Sequence, residues 1–196
     1  MPEHIEELEI TIFDTETTGL RPEEGHRIVE LAALRVKGNQ RIAIFDELVN
    51  PRREISPGAF AVNKITQEML KDAAQIEAVM PNFLDFIKGS VLCSYNVEFD
   101  LNFLKNELKL IGLSALDDFI IFDVLTMSRV LLPGLTRYPL WFVAQKLEIK
   151  STQKHRALAD VEITWEVFTK LKTICQEKGL TSLPNFLNQF AFKPKI

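Results

Sequence analysis

Alternation of apolar and polar residues predicts strands in the first quarter of the chain. Residues 8–13 alternate threonine with isoleucine and phenylalanine and lead into Asp14, which indicates a β-strand. Two further strands, at about 28–37 and 41–49, are separated by Gly38-Asn39. Glycine at the first central position of such a connection suits a tight turn with positive φ. The chain is therefore expected to begin with three strands, the last two forming a hairpin.

Beyond residue 51 the pattern changes to helices that alternate with short strands. Apolar residues three and four positions apart mark helices, and short apolar runs mark strands. The helical patterns cover residues 76–87, 101–111 and 157–175, and the strand patterns cover 90–95 and 119–124. Two shorter helical segments are separated by Pro133-Gly134. Three strands followed by alternating helices and strands predict an α/β fold with a mixed five-stranded sheet flanked by helices.

Length and composition fit one domain outside the membrane. At 196 residues the chain suits a single α/β domain, which we place at residues 1–178, with 179–196 as a C-terminal extension. No stretch approaches the roughly 18 apolar residues that a membrane span needs. The N-terminus is rich in glutamate and does not resemble a signal peptide, so we expect a cytoplasmic protein. Cys93 and Cys175 lie far apart in apolar segments, which predicts buried free thiols.

Two carboxylates stand at the end of the first predicted strand. Asp14 and Glu16 are two positions apart, so their side chains point to the same side of the strand. Like charges side by side destabilise a sheet, but they suit a divalent cation such as Mg²⁺, which prefers oxygen ligands. A lone Asp-x-Glu is usually only a polar strand end, so the pair gains meaning from the acids elsewhere in the chain.

Two further acids and a histidine are candidates for the same site as this pair. Asp100 follows a predicted strand in the first turn of a helix, where the ordinary role of an acid is to interact with the helix dipole. Asp160 lies beside core-facing positions of the last long helix, where an unpaired carboxylate is costly unless it meets a cation. His155 precedes that helix in a polar segment, and a histidine there can accept a proton at neutral pH.

Basic residues concentrate in one segment although the net charge of the chain is −4. Residues 129–156 contain six basic residues and one acid, Glu148. The basic residues are Arg129, Arg137, Lys146, Lys150, Lys154 and Arg156. Such a run is usually a solvated face. Beside the carboxylates it favours contact with the phosphates of a nucleic acid.

The order of these segments resembles a known enzyme family. Residues 14–20 (Asp-Thr-Glu-Thr-Thr-Gly-Leu), 96–100 (Asn-Val-Glu-Phe-Asp) and the pair His155 and Asp160 are similar to the three motifs of the DEDDh superfamily of 3′→5′ exonucleases. Within this superfamily the segments look most like the DnaQ-like form, which is that of the proofreading epsilon subunit of bacterial DNA polymerase III. The likeness runs from about residue 10 to 172. The chain departs from the family at Tyr95, where histidine is common, and at 138–141, where the start of a helix is less typical.

The resemblance implies a ribonuclease H-like fold and a metal-dependent enzyme. The expected reaction releases nucleoside 5′-monophosphates from the 3′ end of DNA, at single-stranded or mispaired ends, with two divalent ions, Mg²⁺ or Mn²⁺. The resemblance assigns the metal to Asp14, Glu16, Asp100 and Asp160. It assigns to His155 the removal of a proton from the attacking water.

The resemblance also implies residues that contact the substrate. These are Thr17, Leu20, Asn96 and Phe99. Backbone near Thr17 is expected to receive the terminal 3′-hydroxyl, and Leu20 is expected to wedge against the last base. Phe99 either supports the nucleotide or fills the core, and we favour the core.

Several alternatives stay open at this point. The same fold also serves exoribonucleases, so RNA competes with single-stranded DNA as the substrate. A catalytically inactive domain that only binds a partner or a nucleic-acid end is a third reading, which the presence of all four acids and the histidine disfavours. No part of the chain resembles a polymerase, so proofreading implies a polymerase catalytic subunit as partner. Residues 179–196 either pack on the domain or dock such a partner, and we favour packing.

Overall fold

The structure, a computed structural model, describes residues 4–113, 116, 119–150, 155–180 and 182–193. The strands in these residues are β1 (Glu9–Thr17), β2 (Ile28–Lys37), β3 (Gln40–Asn50), β4 (Ala74–Gln75), β5 (Val91–Ser94) and β6 (Ile121–Asp123). The helices are α1 (Pro57–Asn63), α2 (Gln67–Leu70), α3 (Ile76–Ile87), α4 (Val97–Leu110), α5 (Val124–Leu131), α6 (Leu140–Lys146), α7 (Ala157–Glu177) and α8 (Leu183–Phe190). Among these helices, none combines the length and apolar character needed to cross a lipid bilayer.

The strands form one mixed sheet in the order β4-β3-β2-β1-β5-β6. β1, β2 and β3 pair antiparallel, whereas β5 runs parallel to β1 and β6 parallel to β5. The α/β class and the mixed sheet are confirmed, but the predicted number of five strands was wrong, since the described residues form a sheet of six. The additional strand, β4, has two exposed residues beside the end of β3. Two residues are too few to show the alternation that reveals a strand in a sequence.

The predicted hairpin is present between β2 and β3. Lys37 pairs with Gln40, so Gly38-Asn39 forms the two-residue connection. Gly38 has a φ of 57°, a conformation that glycine adopts at little cost.

Each face of the sheet carries its own apolar core. Ile10 and Ile12 of β1 belong to the core formed with α5, α6, α7 and α8. Phe13 belongs to the opposite core, formed with α3 and α4. Because alternate residues of a strand face opposite sides, Asp14 continues the face of Ile12 and points towards α7. The predicted inward stripe of α7 is buried at Val161, Phe168, Leu171 and Cys175, while Leu158 and Trp165 are only partly buried.

The C-terminal helix α8 packs on the domain. Phe186 and Phe190 are almost completely buried. The ring of Phe186 lies 5.0 Å from that of Phe122 on β6 and 6.4 Å from that of Phe168 on α7. The cysteine prediction is also confirmed, since Cys93 and Cys175 are buried free thiols.

Candidate active site

Three carboxylates from two elements meet at the end of β1. Asp14 and Glu16 lie on β1, and Asp160 lies in the first turn of α7. One carboxylate oxygen from each of the three lies within 4.8 Å of the others. All three side chains are partly accessible to solvent, so an ion can reach them. β1 brings its two acids to one face because pairing with β2 continues in regular register from Glu9 to Glu16.

Burial and mutual repulsion make this cluster unfavourable when all its carboxylates are ionised. Burial raises the pKa of Asp14 well above its ordinary value, and the charges of Asp100, Glu16 and Asp160 raise that pKa further. Burial also raises the pKa of Glu16 to about 8, with further contributions from Asp160 and Glu30. A divalent cation would offset these charges, and its preference for oxygen ligands matches the residues present. The cluster therefore fits a hard metal ion.

Asp100 stands beside the cluster and bridges three elements. It lies in α4 and is only 2% exposed. Its Oδ1 accepts hydrogen bonds from the backbone nitrogen and the hydroxyl of Thr15, at 3.0 and 2.7 Å. Its Oδ2 accepts one from the Ser94 hydroxyl at 2.6 Å. Burial raises the pKa of Asp100 to about 6 although these hydrogen bonds act to lower it. Specific bonds to β1 and β5, rather than the dipole of α4, thus fix this acid next to Asp14.

His155 is placed at the entrance of α7. Its side chain is exposed and its backbone is left-handed, with a φ of 58°. The backbone nitrogen of His155 donates a hydrogen bond to Oδ2 of Asp160 at 3.2 Å. The structure therefore brings the predicted base to the same helix end as a member of the carboxylate cluster.

A buried ion pair that was not predicted from the sequence holds the start of α7 on the sheet. Glu30 of β2 is 1% exposed and is the register partner of Glu16. Arg156 donates to both carboxylate oxygens of Glu30, with distances of 2.5 to 3.1 Å. The backbone nitrogen of Ala157 donates to the same carboxylate at 2.9 Å. A visible signal was Glu30 itself, a single charge inside the apolar run of residues 28–34.

This ion pair also changes the interpretation of the basic segment. Arg156 was counted among the residues available to phosphates, but its guanidinium is bound to Glu30. Lys154 lies outside the described residues. Arg129, Arg137, Lys146 and Lys150 are exposed.

A cavity of about 610 Å³ opens beside the carboxylates. It is lined by Glu16 and by three of the four predicted substrate residues, Thr17, Leu20 and Phe99. Leu20 is 79% exposed. The ring of Phe99 packs 5.0 Å from that of Phe103, as the favoured core role predicts, and Phe99 also lines the cavity.

Asn96, the fourth predicted substrate residue, is not part of the cavity wall. It is exposed at the start of α4, with a left-handed φ of 68°. Its backbone nitrogen donates to Oδ1 of Asp123 at 3.1 Å. Asp123 also caps α5 through Leu125, so one carboxylate organises the beginnings of two helices.

Asn63, which was not predicted from the sequence, supports the cavity wall next to Glu16. It is 2% exposed, and its Nδ2 donates to the Thr17 carbonyl at 3.3 Å. A hydrogen bond from its side chain acts to lower the pKa of Glu16, against the effect of burial. The following residue, Lys64, has a φ of 59°, a conformation that few non-glycine residues adopt and that the sequence does not reveal.

The turn after β1 is closed by His26. Its Nδ1 lies 3.0 Å from the Thr18 hydroxyl. A Cβ atom at Gly19 would lie 2.3 Å from Cε1 of His26, so a larger residue there would displace the ring. Close packing against His26 therefore favours glycine at position 19, between Thr17 and Leu20 of the cavity wall.

Known proteins resemble this chain over most of its length. Residues 11–168 match the sequence profile of the exonuclease family. The chain is 37% identical over 175 residues to a PolC-type DNA polymerase III of Caldanaerobacter subterraneus subsp. tengcongensis, covering 89% of this chain and 12% of that protein. It is 35% identical over 189 residues to a DNA polymerase III subunit epsilon-like protein of Rhodobacter capsulatus, covering 94% of this chain and 27% of that protein. The chain thus spans only a minor part of the length of these relatives.

A solved structure provides a match over nearly its whole length. Exonuclease X, determined in complex with 5′ overhanging duplex DNA, superposes with a TM-score of 0.68 and 28% sequence identity. The match covers 87% of this chain and 93% of that one.

Proposed function

Because the chain belongs to the exonuclease family and carries a DEDD-type 3′→5′ exonuclease domain, we propose that it removes nucleoside 5′-monophosphates from the 3′ end of DNA, at single-stranded or mispaired ends. The observation that carries this proposal is the group of three carboxylates within 4.8 Å of one another, with Asp100 beside them and an open cavity adjacent. Two of the three lie on one strand face, so the backbone holds them together before any ligand arrives.

Two divalent ions, Mg²⁺ or Mn²⁺, are the proposed cofactors. Asp14, Glu16 and Asp160 would hold them, with Asp100 contributing directly or through water. When bound, such ions make the attacking water more acidic and offset charge on the phosphate and the leaving oxygen. The support from this chain is that all four donors are carboxylates and that burial and neighbouring charges raise the pKa of Asp14 and Glu16, while burial raises that of Asp100.

The protein side chains have separate proposed tasks. His155 accepts the proton of the attacking water, and its exposed position lets it pass that proton to solvent. Backbone near Thr17 receives the terminal 3′-hydroxyl, while Leu20 and Phe99 contact the terminal nucleotide from the cavity wall. Asn96 contacts the strand from outside the cavity. None of these contacts reads a base edge, so we expect little sequence specificity.

A polymerase catalytic subunit is the proposed partner. The support is that the relatives above are DNA polymerase III proteins, of which this chain spans 12% and 27%. Such a role would place the protein with DNA in the cytoplasm. We also propose that residues 1–178 form the catalytic unit and that the extension stabilises it, because Phe186 and Phe190 of α8 are buried against that unit.

The reaction and its substrate can be tested together. A 5′-labelled DNA strand and an RNA strand of the same sequence are incubated with the protein and Mg²⁺, Mn²⁺ or a chelator. We expect a ladder that shortens from the 3′ end, requires metal and forms faster on DNA, and faster on a mispaired than on a paired terminus. Faster shortening of RNA would overturn the proposed substrate, and no shortening of either strand would overturn the activity.

A further inference from the structure

Two aromatic rings and two cations form a continuous surface around α6. The guanidinium of Arg137 lies 4.6 Å from the ring centre of Trp141 and 4.9 Å from that of Phe142. Nζ of Lys146 lies 5.4 Å from the ring of Phe142. The two rings stand nearly perpendicular, at 88°. We call Arg137, Trp141, Phe142 and Lys146 the α6 platform.

α6 is connected to two elements next to the carboxylate cluster, β5 and α7. The hydroxyl of Tyr95, the residue that follows β5, donates to the Tyr138 carbonyl at 2.6 Å. Tyr138 in turn donates to the Leu132 carbonyl at 2.8 Å, which holds the segment that leads into α6. α6 itself packs against α7, the helix that carries Asp160.

The composition of the platform and its exposure match single-stranded nucleic acid. Arg137 and Lys146 are exposed, and Trp141 and Phe142 are half-buried. Within the described part of the chain, no carboxylate forms an ion pair with Arg137 or Lys146. Aromatic rings stack on unpaired bases, and arginine and lysine bind the phosphates between them. A duplex offers its phosphates but keeps the faces of its bases inside the stack.

We propose that the α6 platform binds the single-stranded segment on the 5′ side of the nucleotide being removed. A base stacks on the exposed side of the Trp141–Arg137 pair, and Lys146 contacts an adjoining phosphate. This proposal rests on the proposed exonuclease function, since it concerns the remainder of the same strand. The α6 platform would thus contribute to the binding of single-stranded DNA independently of the terminal nucleotide.

The chain offers a matched control in a second arginine–tryptophan pair. The guanidinium of Arg41 lies 4.9 Å from the ring of Trp165. Arg41 pairs with Val36, which pairs with Ile10 near the start of β1. On α7, Trp165 follows Asp160 by five residues, so it is turned by about 140° around the helix axis from that carboxylate. We therefore expect a strand bound at the carboxylates through the α6 platform not to contact this second pair.

Tryptophan fluorescence tests the proposal without turnover. The chain has two tryptophans, Trp141 and Trp165, so Trp165→Phe leaves Trp141 as the only reporter and Trp141→Phe leaves Trp165. With chelator present, we expect oligothymidylate to quench the fluorescence of Trp165→Phe and not that of Trp141→Phe. Equal quenching of both, quenching of neither, or quenching of Trp141 by polyglutamate but not by oligothymidylate would overturn the proposal.

Kinetics separate this proposal from the proposed function. We expect Arg137→Gln and Trp141→Leu to raise KM for a single-stranded 12-mer about tenfold, and to leave hydrolysis of the p-nitrophenyl ester of thymidine 5′-monophosphate unchanged. Arg41→Gln should leave the KM for the 12-mer and the hydrolysis of the p-nitrophenyl ester unchanged. Suppose that the wild-type protein cleaves the 12-mer and that the KM of both platform variants for it stays within twofold of the wild-type value. The proposed binding by the α6 platform is then wrong, while the exonuclease function stands. If the wild-type protein cleaves neither substrate, the proposed exonuclease function is wrong, and the fluorescence measurement alone tests strand binding by the α6 platform.

Discussion

The backbone nitrogen of His155 donates a hydrogen bond to Oδ2 of Asp160 at 3.2 Å. The left-handed backbone of His155 turns its amide back over the first turn of α7. The proposed proton acceptor and a proposed metal ligand are thus joined by one bond, so a shift of either residue moves the other.

Replacing His155 with alanine is expected to separate turnover from metal binding. The variant loses its general base, so kcat should fall about 10²- to 10⁴-fold. Metal binding should persist because the bond to Asp160 comes from the backbone. Calorimetric titration with Mn²⁺ and single-turnover hydrolysis measure the two properties, and Asp14→Ala should lose both. Near-normal turnover in His155→Ala would show that a different group accepts the proton.

The buried pair of Glu30 and Arg156 should matter for stability as well as for activity. Arg156→Met leaves Glu30 buried without its partner, which we expect to cost about 2–4 kcal/mol of unfolding free energy. Because this pair positions the start of α7, kcat should also fall and metal affinity should weaken. Arg41→Met, which breaks the exposed pair of Arg41 with Glu162, should cost less than about 1 kcal/mol. Urea unfolding of both variants checks this, and equal costs would contradict the structural role of Glu30.

The stability of the metal-free protein should fall as pH rises. Glu16 has a folded-state pKa of about 8, above its ordinary value of 4.5. Its contribution is therefore fully present below pH 4.5 and is lost as pH rises to about 8. Metal should reverse this trend because it favours the ionised carboxylates. We expect added Mg²⁺ to raise Tm more at pH 8 than at pH 5, by at least about 4 °C. An increase of the same size at both pH values would argue against metal binding at this cluster.

Neutralising Lys150 should weaken the salt dependence of DNA binding. Each phosphate contact on a single strand contributes a slope of about −0.7 in a plot of log K against log salt. Lys150→Gln should therefore make the slope shallower by about that amount. Lys170→Gln removes an exposed lysine from a later turn of α7 and serves as the control. An unchanged slope in Lys150→Gln would remove this part of the basic segment from the DNA path.

Leu20 provides a test of terminal-nucleotide binding that is free of folding effects. Its side chain is 79% exposed, so Leu20→Ala should change the unfolding free energy by less than about 0.5 kcal/mol. If Leu20 wedges against the last base, kcat/KM on DNA should fall about tenfold. Thermal unfolding and steady-state kinetics measure the two effects. Unaltered kinetics would exclude the wedge.

The sequence predicted those features that depend on near neighbours. The period-two spacing of Asp14 and Glu16 and the hairpin at Gly38-Asn39 are local patterns, and the structure has both. The helix-dipole reading of Asp100 was incomplete because Thr15, its partner, is 85 residues away.

The features that the sequence did not predict depend on distant contacts. Arg156 was assigned to phosphate binding because nothing near it indicates Glu30, which is 126 residues away. β4 was missed because two residues carry no periodicity. Asn63 looks like any loop asparagine until its burial against Thr17 and Glu16 is known.

The central claim is that the cluster of Asp14, Glu16 and Asp160 is a metal-dependent catalytic centre. Its most direct test is the rate of 3′ shortening of a 5′-labelled single strand as Mg²⁺ is titrated, for the wild-type protein, Asp14→Asn and Glu166→Gln. Glu166 is an exposed acid on α7, outside the cluster. We expect saturable activation by Mg²⁺ in the wild-type protein and in Glu166→Gln, and a loss of at least about 10³-fold in Asp14→Asn. Activity without metal, or activation retained in Asp14→Asn, would contradict the claim.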